Sequence, residues 1–251
     1  MCGRYATTRP AADLAAVFES YDETGDRLAA DYNVAPTDAV PVVRRDDEPD
    51  ARRLLSLARW GFVPSWAKDT RGAARMINAR AETVATSRAY ASAFAKRRCL
   101  VPADGWYEWV RRDGVKQPYF MTPRDGEVLA FAGIWSRWRG GGSRGGGDSR
   151  GDGGDSLLTC SVVTTAALGE LAEVHERMPL LLPPERWSAW LAGGGEPAEL
   201  LAPAGPEWLA RIEIRPVGPE VGDVRNDGPG LIERVPVPAV PESEPVDLTL
   251  F

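Results

Sequence analysis

A chain of 251 residues with 43% apolar side chains has ample capacity for a buried core. It holds no apolar run near the ~18 residues of a membrane span and no basic, apolar leader of the secretory kind, so the expectation is a cytoplasmic protein without a membrane partner. The net charge of −6 argues against a polyanion partner only on average. Between Ala51 and Lys116 there are 14 Lys and Arg against 5 Asp and Glu, so a basic middle of +9 sits within an otherwise acidic chain. Such a segment is either the electrostatic footprint of a polyanion or a solvated basic face.

The pattern from Pro10 to Glu19 predicts an amphipathic helix, with Pro in its first turn and Leu14, Val17 and Phe18 at helical spacing. Short β-like runs then recur: "AVPVV", "RLLSLARWGF", "RCLVPADGWYEW", "QPYFM", "VLAFAGIW", "SLLTCSVVTT" and "ARIEIRPV". Their irregular spacing and the few helices between them predict an α+β domain on antiparallel or mixed sheet. "RGGGSRGGGDSRGDGGDS", residues 139–156, reads as a flexible Gly/Ser-rich excursion between two strands. The tail, 236–251, begins as a Pro/Glu linker and ends in an apolar cluster, leaving residues 1–235 as the folded domain.

The three cysteines, Cys2, Cys99 and Cys160, cannot form a complete disulfide set and match no zinc spacing. No metal or cofactor motif is present. Any special role for Cys2 therefore rests on its thiol. Met1 precedes a small residue and is expected to be trimmed, which makes Cys2 the mature amino terminus. A terminal cysteine carries a thiol (pKa ≈ 8.5) and an α-amine (pKa ≈ 7.7–8.0) on adjacent carbons, both partly nucleophilic near neutrality. Against an amide, the amine can act as base for its own thiol. Against an aldehyde, the amine forms a Schiff base and the thiol closes a thiazolidine. Cys2 alone is equally consistent with an idle residue at a frayed end.

His175 is the single histidine, placed by "LAEVHERMPLLL" at the end of a helix that Pro179 is expected to stop. A site that moves protons near neutral pH favours such a side chain, although a lone His is commonly structural. Glu108 stands among aromatics in "DGWYEWVRR", where a desolvated carboxylate can hold an amine or pass it a proton; an exposed strand carboxylate is the alternative. Asn78 and Arg80 in "RMINARAET" offer a non-titrating hydrogen-bond donor and a phosphate fork. Trp60, Trp66, Trp106 and Trp109 interleave with the basic residues, as base-stacking surfaces require, though most tryptophans belong to cores.

Together, "MCGRYA", "YNVAPT", "RWGFVPSWAKD", "INARAET", "DGWYEW", "FAGIW", "VVTTAA", "VHERMPLLL" and "VRNDGPGLI" run in one order from residue 1 to about residue 233. This ordered set resembles the SRAP family, the SOS-response-associated peptidase or abasic-site processing proteins. The resemblance implies a single SRAP-type domain with a barrel-like core, monomeric, associated with the nucleoid and acting on single-stranded DNA. It implies that Cys2, once Met1 is removed, crosslinks the ring-opened aldehyde of an abasic site. It gives Asn78 a contact to the opened sugar, Glu108 the α-amine and proton transfer, and His175 ring opening. Arg4, Arg80 and Arg177 fall at phosphate-binding positions, Trp66 lies in a base-stacking loop, and Thr164 precedes the helix leading to His175. The peptidase label implies at least removal of Met1, and the chemistry is lyase-like. One Trp in "PSWA" where some members carry two, and the long Gly-rich insertion, depart from the pattern. Two other readings stay open: an amidohydrolase or peptidase with an amino-terminal cysteine, and a noncovalent single-strand-binding module. "DLTLF", Asp247 to Phe251, is similar to peptides that dock on the replication sliding clamp, with Asp247 where Gln is usual.

Overall fold

The longest apolar runs form the strands that are buried most completely. A computed structural model describes residues 2–46, 52–112, 114–140 and 156–236. Its strands are β1 (Tyr5–Thr7), β2 (Tyr21–Asp22), β3 (Asp31–Val34), β4 (Ala39–Arg45), β5 (Arg53–Trp60), β6 (Asn78–Arg80), β7 (Arg98–Ala103), β8 (Gly105–Arg112), β9 (Val115–Pro123), β10 (Leu129–Arg139), β11 (Ser156–Ala166), β12 (Arg177–Pro179) and β13 (Ile212–Pro216). Five of them, in the order β11-β10-β7-β4-β5, form a ring that closes through a parallel β5–β11 pairing, so the barrel-like core expected from the sequence is present. Its strands are covered on both faces, which is why "LAFAGIWS" in β10 is apolar or small without alternation.

The period of two sorts these strands into two cores. Val40, Val42, Ala58, Trp60, Cys99, Val101, Phe131, Cys160 and Val162 share one cluster, with Cys2 and Tyr5 inside it. Their sequence neighbours Val43, Leu55, Leu100, Ala132, Ile134 and Val163 pack on the opposite face, against helices. Those helices are α1 (Ala11–Val17), α2 (Ala81–Val84), α3 (Ala91–Lys96) and, beyond α4 (Leu171–Val174), α5 (Pro184–Leu191). Leu14, Val84, Phe94 and Trp187 are the side chains they contribute. Each large side chain buried this way stabilises the fold by about 1.5–3 kcal/mol. Gly133 is required where the barrel is tightest: a Cβ there would meet the Cys99 Sγ and a Val101 methyl, each at 2.9 Å.

A second, antiparallel sheet, in the order β13-β9-β8-β1-β3, lays one face over the barrel. Tyr5, Trp106, Met121 and Ile212 from it join the barrel cluster. Tyr5 meets Trp60 edge-on at 5.1 Å between ring centroids and Phe131 at 5.8 Å. Such aromatic pairs add about 0.5–1.5 kcal/mol beyond area burial. β1 lies inside this sheet, between β8 and β3, and Cys2 just before it packs with Tyr5 into the barrel cluster.

Three expectations are corrected. "RCLVPADGWYEW" is two strands, β7 and β8, divided at Asp104, whose carboxylate accepts the Thr8 backbone N–H at 2.6 Å and lets the chain pass from barrel to second sheet. The helix before His175 ends at Val174 rather than at Pro179, because Arg177–Pro179 pairs with β11 instead. β1, β2, β3, β6 and β12 were not foreseen. Within the described residues, Arg139 and Ser156 are paired ends of the β10–β11 hairpin. The rest of the Gly/Ser-rich segment, and Asp247 to Phe251, lie outside them. Among the described residues no helix is long and apolar enough to cross a membrane.

Candidate active site

β6, β11 and β12 lie side by side and set the polar residues of the site on one face. In the parallel pairing Asn78 opposes Val162 and Arg80 opposes Thr164; in the antiparallel pairing Ala166 opposes Arg177. Since alternate residues share a face, Asn78, Arg80, Thr164 and Arg177 project to the same side. The β6 segment is pinned from behind: Trp60 Nε1 donates to the Ile77 carbonyl at 3.0 Å and the Tyr90 hydroxyl to the Asn78 carbonyl at 3.3 Å.

Cys2 is completely buried. Its carbonyl accepts the Asn78 side-chain amide at 2.7 Å, while the buried Asn78 Oδ1 has no hydrogen-bond partner among the described residues. Burial pushes the Cys2 thiol far above its usual range, and the nearby Glu108 carboxylate pushes it the same way. The Arg4 backbone N–H, directed at the sulfur, draws it back down. Glu108, in β8 and only 4% exposed, has its carboxyl raised by burial; the positive amino terminus and His175 oppose that rise. Cys2 thus lies beside Asn78 and Glu108, and Glu108 in turn feels His175.

His175 follows α4 in an extended conformation (φ −155°, ψ 146°). Its Nδ1 accepts the Arg177 backbone N–H at 2.9 Å, which fixes the orientation of the ring.

The residues expected at phosphate positions are differently placed. Arg80 is exposed at the end of β6. Arg4 is half-buried and donates to Asn33 Oδ1 at 2.7 Å and to the Val221 carbonyl at 3.0 Å. The Arg177 guanidinium forks onto Glu82, with Nη1–Oε1 at 2.5 Å and Nη2–Oε2 at 3.0 Å, and also donates to the Thr164 carbonyl at 2.6 Å. Trp66 is 62% exposed, with the Arg88 guanidinium 5.6 Å above its ring, whereas Trp60 and Trp106 are core. Trp109 is partly buried beneath Lys116. Among the described residues, no group of three or more His, Cys, Asp or Glu is placed to hold a metal ion.

Sequence reasoning missed Glu82, Tyr90 and Asn33. Glu82 left one trace, as one of only five acids in the basic middle. Asn33, inside "YNVAPT", receives Arg4 and donates to the Asp223 and Asn226 carbonyls at 2.9 and 2.8 Å, so it ties that motif to "VRNDGPGLI".

The fold and site define a barrel protein organised around an amino-terminal cysteine with a buried carboxylate, an amide and an imidazole. Residues 1–224 match the family described as SOS response associated peptidase (SRAP). The chain belongs to the SRAP family. It is similar to abasic site processing protein YedK of Escherichia coli, with 32% identity over 94% of this chain and 100% of that one. Similarity to YoqW of Bacillus subtilis, also named an abasic site processing protein, is 30% over 93% of this chain and 99% of that one. The chicken abasic site processing protein HMCES is 30% identical over 91% of this chain and 76% of its own. A solved protein structure from Bacteroides thetaiotaomicron, 22% identical, shares the fold with a TM-score of 0.77 over 93% of this chain and all of the other.

Proposed function

We propose that this protein processes abasic sites in single-stranded DNA and caps them covalently through Cys2 after Met1 is removed. The observation that carries the reading is a buried cysteine at the second position with Asn78 and Glu108 beside it and His175 acting on Glu108. The names of the similar proteins point to the same substrate.

The chemistry follows from the groups present. An abasic sugar is mostly a closed hemiacetal, so ring opening limits the supply of aldehyde. His175 serves as the acid–base at that step. Asn78 offers an amide that holds the sugar's hydroxyls without titrating. The Cys2 amine then adds to C1′ and water leaves to give an imine. The thiol sulfur adds to the same carbon, and its proton passes to the nitrogen. One water is released overall, and Glu108 carries protons between amine and solvent-derived groups. The raised thiol favours this order, since the sulfur stays protonated while the amine attacks.

Arg80, Arg177 and Arg4 supply positive charge along the strand, and Trp66 a stacking surface. A site lacking its base spares the protein the cost of extruding one. We read the peptidase of the family's description as removal of Met1, which creates the amine.

The test is incubation with single-stranded DNA carrying one abasic site, followed by boiling in detergent. A slower band is expected, absent with intact DNA and absent when the aldehyde is first blocked with methoxyamine. Retention of intact and abasic DNA alike, with no stable band, would leave only a noncovalent module.

A further inference from the structure

Glu82 stands out on the proposed DNA-binding face, because it is a carboxylate directly on a residue suited to phosphate. Its two oxygens meet Arg177 Nη1 and Nη2 at 2.5 and 3.0 Å, the same planar fork that a phosphodiester presents to a guanidinium. The two partners are unequally held. The Arg177 side chain is 12% exposed and is anchored independently by the Thr164 carbonyl at 2.6 Å and hydroxyl at 3.3 Å. The Glu82 side chain is 53% exposed and, besides the Arg177 fork, meets only its own backbone N–H and the field of Arg80 among the described residues. A turn of Glu82 into solvent therefore leaves its charge in water and the guanidinium in place. The guanidinium, although mostly buried, keeps its bonds to the Thr164 carbonyl and hydroxyl, so opening the pair does not leave it without partners, the circumstance that makes buried pairs costly to break. Arg80 shares this face and is exposed, so an anion replacing Glu82 would meet two cations.

We propose that Glu82 is an internal competitor for phosphate: in the DNA-free protein its carboxylate occupies the Arg177 subsite that a backbone phosphate takes in the complex. This inference rests on the single-strand reading above and adds to it a built-in restraint. Every strand that docks must first displace Glu82, so undamaged strands bind weakly and leave. An abasic strand is retained because the covalent step follows docking. The carboxylate thus favours capture of lesions over coating of intact single strands.

The test is equilibrium binding of fluorescein-labelled oligothymidylate to the full, Met1-processed protein over a range of salt, for the wild type, Glu82→Gln and Glu82→Ala. Both variants are expected to bind more tightly, by about fivefold, the weight of one half-exposed ion pair. The salt dependence should steepen by about 0.7 in the log–log slope, because the freed guanidinium releases one further counterion's worth of charge. In an Arg177→Gln background the Glu82→Gln gain should vanish. Tightening that persists there would show Glu82 acting as unspecific negative charge and would overturn the proposal. Weaker binding by both variants would also overturn it, since Glu82 would then be holding Arg177 for DNA. No measurable binding by the wild type overturns the single-strand reading itself; wild-type binding with no gain in either variant overturns this inference alone.

Discussion

The Asn78 side chain donates to the Cys2 carbonyl at 2.7 Å across 76 residues of sequence, so β6 and the amino-terminal segment form one unit. Asn78→Ala removes both this bond and the amide proposed to hold the sugar. Crosslinking should slow by about tenfold or more, since small misplacements of reacting groups carry large rate effects. Stability should fall by only about 1 kcal/mol, the usual weight of one hydrogen bond. Crosslinking time courses and thermal melts of the same sample check both. A normal rate with a large loss of stability would make Asn78 a scaffold residue.

Glu108 gives a pH signature of defined sign. Burial raises its carboxyl above the ordinary value of 4.5, so the folded chain holds that proton more tightly than the unfolded chain does. The associated stability is fully present below about 4.5 and is lost as pH rises through the folded value. Glu108→Gln abolishes that dependence. Relative to wild type it should gain stability as pH rises from about 4.5 towards neutrality and converge below it, while crosslinking falls. Thermal melts across this window test the prediction, and parallel curves would refute it.

His175→Ala should slow crosslinking by about a hundredfold, within the range of general acid–base effects, and leave binding to undamaged strands nearly unchanged. The two readouts separate because the ring meets Arg177 at its backbone N–H, whereas the guanidinium suited to phosphate is anchored separately by the Thr164 carbonyl. Equal loss of both would return His175 to a structural role.

Trp66, 62% exposed, contributes little to the core. Trp66→Ala should keep the melting temperature and weaken single-strand binding by about 1–3 kcal/mol, the measured weight of one stacked base. Unchanged affinity would remove the stacking surface from the account.

What the sequence made legible tracks the size of the physical signal. β10 and β11 were readable because eleven residues of apolar pattern leave little ambiguity, and their burial followed. β6 and β12 were not, because three residues cannot display a period; they exist through pairing with β11, a long-range fact. Cys2, Glu108 and His175 were singled out by chemical type, whereas the placing of Glu108 near the other two is a property of the fold. Trp60 and Trp66 show the limit. The same side chain six positions apart is wholly buried in one case and mostly exposed in the other. The chain turns at Gly61, with φ of +136°, stays buried through Pro64 and emerges only at Ser65. The Glu82–Arg177 pair was invisible for a related reason, since 95 residues separate its partners.

The central claim is that one terminal residue supplies both nucleophiles. Mass analysis of the crosslinked protein, after digestion of DNA and protein and without any borohydride reduction, reads this directly. The account predicts a sugar adduct on a peptide that begins at Cys2 and lacks Met1, with the loss of a single water and no free thiol. An adduct on a lysine, or one that survives only after reduction, would contradict it, because either would mean that an amine acted without the Cys2 thiol.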